Sequence, residues 1–83
     1  MRKLAFSGQA ELDLDNLDRA TRLRVTAAIQ RLALANTGNI KKLQGIDPPE
    51  YRLRVGDWRV RFSLPDSGTL RINRVQNRRE AYR

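Results

Sequence analysis

The chain has 83 residues and a net charge of +8, from 17 Lys/Arg against 9 Asp/Glu. This length supports one small domain, residues 1–83, with a core built from few elements. Because the sequence holds neither cysteine nor histidine, disulfides and the usual zinc sites are excluded, and we expect no metal and no cofactor. The apolar runs are far shorter than the ~20 residues that span a bilayer, so we expect no membrane association. The N-terminus leaves no room for a signal-peptide core, and the lack of cysteine is compatible with the cytoplasm, where we expect the protein.

The positive charge is concentrated in the last third of the chain. Residues 1–50 hold 8 Lys/Arg and 6 Asp/Glu, a net of +2, whereas residues 51–83 hold 9 Arg and 3 Asp/Glu, a net of +6. Every cation in the second part is arginine, which stays charged and binds phosphate through a planar fork of donors. The composition therefore indicates a nucleic-acid partner first and an acidic protein second. A solvated basic surface is the alternative, although such surfaces usually mix lysine and both signs of charge.

The first half of the chain predicts a strand followed by two helices. Residues 2–6 form a short strand, and Ser7 is a suitable N-cap for a helix with apolar residues at spacings of three and four. Asp18 caps a second helix, which runs to about Asn36 and ends at an Asn-Thr-Gly-Asn stretch. Two helices joined by a tight turn form an αα-hairpin.

The second half predicts an irregular segment and then three strands. Residues 37–50 contain consecutive prolines and are assigned no regular structure. Residues 51–62 alternate apolar and cationic side chains around a Gly-Asp pair, the pattern of a β-hairpin. A third strand follows over residues 69–75, where a slip in the alternation near Asn73 indicates a bulge.

These elements predict an α+β fold: an N-terminal strand, a two-helix hairpin and a three-stranded antiparallel sheet, with the helices on one face. The first strand is expected at an edge of the sheet or beside the last strand. The other face would carry Arg52 and Arg54 from one hairpin strand, and Arg59 and Arg61 from the next. Because like charges side by side repel, we expect an anionic partner, such as a phosphate backbone, on this face.

Three motifs in order resemble the RelE/ParE superfamily of type II toxins. They are K-L-x-G at Lys42–Gly45, Y-R-x-R-x-G-D-x-R from Tyr51, and R-R-x-x-Y at Arg78–Tyr82. The resemblance covers nearly the whole chain and implies a compact domain similar to microbial RNases. It also implies a cognate antitoxin, for which we expect an acidic segment and an amphipathic helix. Operator DNA would be contacted only through the toxin–antitoxin complex.

The resemblance leaves two functions open. RelE-type members cut messenger RNA in the ribosomal A site, so ribosome and mRNA would be partners, whereas ParE-type members poison DNA gyrase without chemistry of their own. For a nuclease, the resemblance implies Arg59, Arg78 and Tyr82 as catalytic residues. Arginines can stabilise the charge of a phosphorane, and Tyr82 is the expected proton acceptor in a chain without histidine. A packing anchor for the C-terminal tail is the alternative role of Tyr82.

The other arginines of the sheet are candidate RNA-binding residues. For Arg61 the alternative is a solvated strand residue, and for Arg71 and Arg74 the alternative is contact with the antitoxin. The full RNA-binding set comprises Arg52, Arg54, Arg61, Arg71 and Arg74.

Two positions depart from the family pattern. Arg52 and Arg54 stand where RelE-type proteins often have lysine, and Asn77 stands where many relatives have histidine. These changes keep affinity for RNA and remove groups able to transfer protons. The combination of Arg59, Arg78 and Tyr82 still favours a nuclease over a gyrase poison, and over a remnant that only binds RNA.

Overall fold

The computed structural model describes the backbone of residues 1–81 and the side chains of residues 1–79. Five strands form a sheet in the order β1-β5-β4-β3-β2. This is the α+β fold that the sequence predicts, with one additional strand and a short C-terminal helix. The elements in chain order are β1 (Lys3–Phe6), α1 (Gly8–Asp15), α2 (Arg19–Ala35), β2 (Asn39–Lys42), β3 (Tyr51–Val55), β4 (Trp58–Asp66), β5 (Thr69–Asn77) and α3 (Arg78–Ala81).

The ends of the helices are set by the capping residues that the sequence predicts. The Ser7 side chain accepts a hydrogen bond from the Ala10 N–H at 3.0 Å, and Asp18 accepts one from the Thr21 N–H at 3.2 Å. Asn36 ends α2 in the left-handed conformation, with φ of 55°, a conformation that asparagine tolerates better than most residues. Within the described residues, no helix is long and apolar enough to cross a membrane.

The core lies between the helices and one face of the sheet. On α2 the buried residues recur at helical spacing, and on the strands they alternate with polar residues, as the two periodicities require. The stacked rings of Tyr51 and Phe62, with centroids 5.4 Å apart, extend the core across β3 and β4. The largest fully buried side chains are Val25, Ile29, Leu53, Val60, Leu70 and Ile72. The opposite face of the sheet is therefore left to the polar residues of the same strands.

The prediction of an irregular segment over residues 37–50 is wrong in its first part. Asn39–Lys42 form β2, which pairs antiparallel with β3 at the edge of the sheet. All four residues of β2 are exposed, so the segment lacks the apolar alternation that marks a half-buried strand. The Leu43 N–H donates to the Glu50 carbonyl at 2.9 Å and closes the loop that follows. The backbone of β3, and not a local pattern, makes this segment a strand.

The last strand is longer than predicted and carries the expected bulge. Phe62 pairs with Ile72, but Arg61 pairs with Arg74, so Asn73 is the extra residue. β1 pairs in parallel with β5 and is the outer strand of the sheet. It therefore lies both at an edge and beside the last strand.

Asp13 of α1 satisfies the backbone that the bulge leaves open. Its Oδ2 accepts hydrogen bonds from the Val75 N–H at 2.8 Å and the Arg74 Nε at 2.9 Å. Gln9 donates to its Oδ1 at 2.9 Å. Burial raises the pKa of Asp13, but the hydrogen bonds from Val75, Arg74 and Gln9 outweigh it and hold the pKa below its usual value. The carboxylate thus joins α1 to β5 in its ionised form.

We predict that Asp13→Asn lowers the free energy of unfolding by about 1–3 kcal/mol at neutral pH, because hydrogen bonds to a charged group are lost. A lowered folded-state pKa means that the stabilisation is complete above the ordinary aspartate pKa and is lost as pH falls through the folded value. The difference between parent and variant, measured by urea denaturation, should therefore shrink in acid. Asp15→Asn, an exposed aspartate on the same helix, is the control. Equal stability of the two variants at pH 7 would contradict the role of Asp13.

Candidate nucleic-acid interface

The hairpin arginines meet on the face of the sheet that points away from the helices. Arg52 pairs with Arg61 across β3 and β4, and Arg54 pairs with Arg59. Leu53, between the two arginines of β3, is buried in the core. Because side chains alternate along a strand, all four arginines lie on the opposite face. The structure therefore brings together the four residues that the sequence assigns to this surface.

A cleft of about 270 Å³ lies over this face. Its floor is formed by arginines of β3 and β4, and one wall is formed by the loop between β2 and β3. The wall offers apolar surface and an amide, and the floor offers guanidinium donors suited to phosphate oxygens. A nucleotide, with a planar base and an anionic phosphate, matches both. The residues that line the cleft are Leu43, Gln44, Ile46, Arg52, Arg59, Arg61 and Gln76.

Arg59 lies at the centre of the arginine face and is buried. Only 6% of its surface is exposed, and it stands on β4 between Arg54 on β3 and Gln76 on β5. A guanidinium withdrawn from water interacts with an anion far more strongly than one on an open surface, because the local dielectric is lower. Arg59 therefore presents a largely desolvated guanidinium on the floor of the cleft.

Arg52 contributes a donor that no described residue of the protein uses. Its Nε is buried, and within the described residues it has no hydrogen-bond partner. A buried donor without an acceptor costs about 1–3 kcal/mol, which an anion in the cleft would offset. Arg54 is exposed, and its Nε donates to the Gly56 carbonyl at a long 3.4 Å.

Two other arginines have carboxylates from within the protein. Arg61 contacts Glu50 Oε2 through Nη2 at 2.9 Å and through Nε at 3.0 Å. Arg74 contacts Asp13 at 2.9 Å. A bound phosphate would have to compete with these carboxylates, and RNA binding by Arg61 and Arg74 stays a prediction.

Arg71 and Arg78 line cavities other than this cleft. Arg71 is exposed on β5 and lies in a separate cavity with Pro48 and Pro49. Arg78 begins α3, where its N–H donates to the Asp57 carbonyl at 2.6 Å, and it lines another cavity, of about 730 Å³. Arg59 and Arg78 thus line different cavities, and their predicted joint role is not tested by these positions.

Tyr82 and Asn77, which stands where many relatives have histidine, complete the set of residues singled out near the C-terminus. Tyr82 lies outside the described residues, so its catalytic assignment stays a prediction. Asn77 has a local structural role, because its Oδ1 accepts a hydrogen bond from the Arg79 N–H at 3.1 Å at the start of α3. The described residues contain no group of three or more potential metal-ligating side chains.

Sequence reasoning missed the contribution of the segment before the hairpin. Lys41 of β2 pairs with Arg52 and adds a cation to the arginine face. Glu50 supplies the counter-ion of Arg61. The available signals were weak: a lone apolar residue, Ile40, between polar ones, and an acidic residue just before the hairpin.

A protein-family model identifies the family of the chain. The model, described as the ParE toxin of the type II toxin–antitoxin system parDE, matches residues 4–82. The chain belongs to this family. It is a type II toxin of the RelE/ParE superfamily, as the three sequence motifs indicate. No curated protein matches the toxin in sequence.

Solved toxin structures share the fold. A chain of the RelB-RelE antitoxin–toxin complex from Methanococcus jannaschii is 26% identical, with a TM-score of 0.76 and 94% of each chain covered. YafQ from E. coli strain BL21(DE3) is 18% identical, with a TM-score of 0.76 over 100% of both chains. The toxin–antitoxin complex RelBE2 from Mycobacterium tuberculosis matches at 23% identity and a TM-score of 0.73, covering 93% of this chain and 98% of that one. These similarities confirm the predicted fold class.

Proposed function

We propose that this toxin is a ribosome-dependent endonuclease that cleaves messenger RNA in the A site, within the cytoplasm. The observation that carries the proposal is the burial of Arg59 on the floor of the cleft, beside Arg52, whose Nε has no hydrogen-bond partner among the described residues. Cleavage by the 2′-hydroxyl of RNA places additional negative charge on the phosphate oxygens in the transition state. Preorganised donors in a site of low dielectric stabilise that charge without reorganising during the reaction.

The chemistry divides between charge stabilisation and proton transfer. Arg59 would neutralise the phosphorane, and Arg52 and Arg54 would hold the neighbouring backbone. Tyr82 would accept the proton of the 2′-hydroxyl. A tyrosine titrates near pH ~10 in isolation, and nearby cations favour its phenolate. Arg78 would stabilise the departing 5′ oxygen by charge, because a guanidinium with a pKa above about 12 is a poor proton donor.

The alternative is a non-catalytic poison of DNA gyrase. It is supported by the ParE description of the matching family model and by the separate cavities of Arg59 and Arg78. A binding poison, however, acts through exposed surface. The largely buried guanidinium of Arg59 lies instead on the floor of a cleft whose wall fits a nucleotide base. The nuclease is therefore the function that the site supports best.

As a type II toxin, the protein has a cognate antitoxin, which we propose to cover two surfaces. An acidic segment would neutralise the arginine face. An amphipathic helix would lie along the apolar stripe of α2 formed by Leu23, half-buried Ala27 and Leu34, which recur at helical spacing. Leu23 and Leu34 are 60% and 66% exposed, and Leu34 also borders an apolar cavity of about 570 Å³ beside β1. Operator DNA would be reached through the antitoxin in this complex.

We predict that Arg59→Ala and Arg78→Ala each relieve growth arrest in cells that express the toxin, because each removes charge stabilisation at the scissile phosphate. Arg31→Ala and Arg79→Ala are the matched controls, because each also removes one exposed arginine. Both control variants should remain toxic. Thermal unfolding of the purified variants checks that the fold persists. Full toxicity of a folded Arg59→Ala variant would refute the assignment.

We predict that Tyr82→Phe separates the two candidate functions, because it removes the hydroxyl and keeps the ring. Loss of a general base costs on the order of 10²- to 10⁴-fold in rate, so cleavage of mRNA on programmed ribosomes should fall by this factor. A gyrase poison would be indifferent to the change, and its arrest would come with DNA damage and intact mRNA. Cleavage at the parent rate would show that Tyr82 has no catalytic role.

We predict that Leu34→Glu weakens binding of the cognate antitoxin at least tenfold. A leucine that becomes buried in the complex contributes roughly 1.5–3 kcal/mol to binding. The free variant should remain toxic, since Leu34 is remote in the fold from the cleft. Leu12→Glu replaces a similarly exposed leucine, 58% exposed, on α1 and serves as the control. Titration calorimetry measures both affinities. Equal losses of antitoxin affinity in Leu34→Glu and Leu12→Glu would mean that α2 is not a specific docking face.

A further inference from the structure

The strand register places four cationic residues in a row across the sheet. Lys41 pairs with Arg52, Arg52 pairs with Arg61, and Arg61 pairs with Arg74. Neighbouring strands are about 4.8 Å apart, so the row runs perpendicular to the strands from β2 to β5. Cations placed directly opposite each other repel.

Among the described residues, carboxylates neutralise the positive charge of this row only at its β5 end. Arg61 and Arg74 contact Glu50 and Asp13, each at 2.9 Å. Neither Lys41 nor Arg52 has a carboxylate within salt-bridge distance among the described residues. Unbalanced positive charge therefore accumulates at the β2 end of the row.

Lys41 lies outside the cleft and Arg52 lies on its floor. A single small anion in the cleft would reach Arg52 and Arg59 but not the β2 edge. A polyanion that continues past the wall of the cleft would reach Lys41 as well. The wall itself, with Leu43, Gln44 and Ile46 directly after β2, offers apolar and amide contacts suited to a nucleotide base.

We propose that Lys41 and Arg52 bind a backbone phosphate of the single-stranded RNA next to the scissile one, so that the RNA crosses the β2 edge of the sheet to enter the cleft. This inference rests on the proposed nuclease function and adds the path of its substrate. Guanidinium groups bind carboxylates as well as phosphates, so RNA is favoured over an acidic peptide because the apolar and amide wall beside Arg52 fits a nucleotide base.

The chain provides a matched control in the next residue. Lys42 is also exposed and on β2, but it pairs with Tyr51, whose ring packs on the core side of the sheet. Alternation along the strand therefore directs Lys42 to the face opposite Lys41. Lys41→Ala and Lys42→Ala have the same net charge and differ only in the face that loses a cation.

The test measures binding of a single-stranded RNA oligonucleotide, with 2′-O-methyl groups to prevent cleavage, over a range of salt concentrations. Each phosphate contact contributes about 0.7 to the slope of log K against log salt for single strands. We expect Lys41→Ala to weaken binding several-fold and to reduce the slope by about 0.7. Lys41→Arg should keep the salt dependence of the parent, and Lys42→Ala should match the parent in both RNA affinity and salt dependence.

Four outcomes would overturn the inference. Equal effects of Lys41→Ala and Lys42→Ala would indicate general charge attraction. Loss of antitoxin binding by Lys41→Ala with unchanged RNA binding would assign this edge to the acidic segment. If the toxin cleaves mRNA only on the ribosome and does not bind the free oligonucleotide, the KM of ribosomal cleavage replaces the binding measurement. A parent-like KM for Lys41→Ala would then refute the proposed RNA path but not the proposed nuclease function. A parent that neither binds nor cleaves RNA refutes the proposed function and this inference together.

Discussion

The antiparallel pairing of β3 with β4 sets the position of almost every residue that matters in this toxin. In one register Leu53 and Val60 enter the core, and Arg52, Arg54, Arg59 and Arg61 share the opposite face. A shift by one residue would exchange the two faces and bury the charges in the core. The Gly56 turn, with φ of 59°, joins the two strands at the point that keeps this register. The core and the candidate site are thus two consequences of the same pairing.

The arginine face is stable in the free toxin because the rest of the fold supplies part of its counter-charge. Glu50 reaches Arg61 from the loop before β3, and Asp13 reaches Arg74 from α1. Asp13 also satisfies the Val75 N–H at the bulge, so a single carboxylate supports both the strand geometry and the electrostatics. Among the described residues, Lys41 and Arg52 at the β2 end of the row have no such carboxylate. The distribution of internal carboxylates, rather than the number of arginines, therefore determines where an external anion is most strongly attracted.

Structure and family membership bear differently on function. The family match and the shared fold identify a type II toxin, but the same superfamily includes nucleases and binding poisons. The preference for RNA cleavage rests on the chemistry of the cleft, where arginine donors lie beside a wall suited to a nucleotide base, and it stays a proposal. Arg59 and Arg78 line different cavities among the described residues, so their joint role stays a prediction.

The sequence by itself determined the elements whose signals are local. Ser7 and Asp18 mark the helix starts, Asn36 marks a helix end, and the break in alternation near Asn73 marks the bulge, because capping and strand periodicity depend on neighbours along the chain. The hairpin arginines could be assigned to one face for the same reason. Tertiary structure alone decided that Asn39–Lys42 is a strand, since its pairing partner is β3 and its own residues carry no apolar pattern. It also decided that Glu50 and Asp13 neutralise particular arginines, that Arg59 is buried, and that Lys41 joins the row. These features depend on contacts between residues up to 61 positions apart, and no local pattern in the sequence encodes such distances.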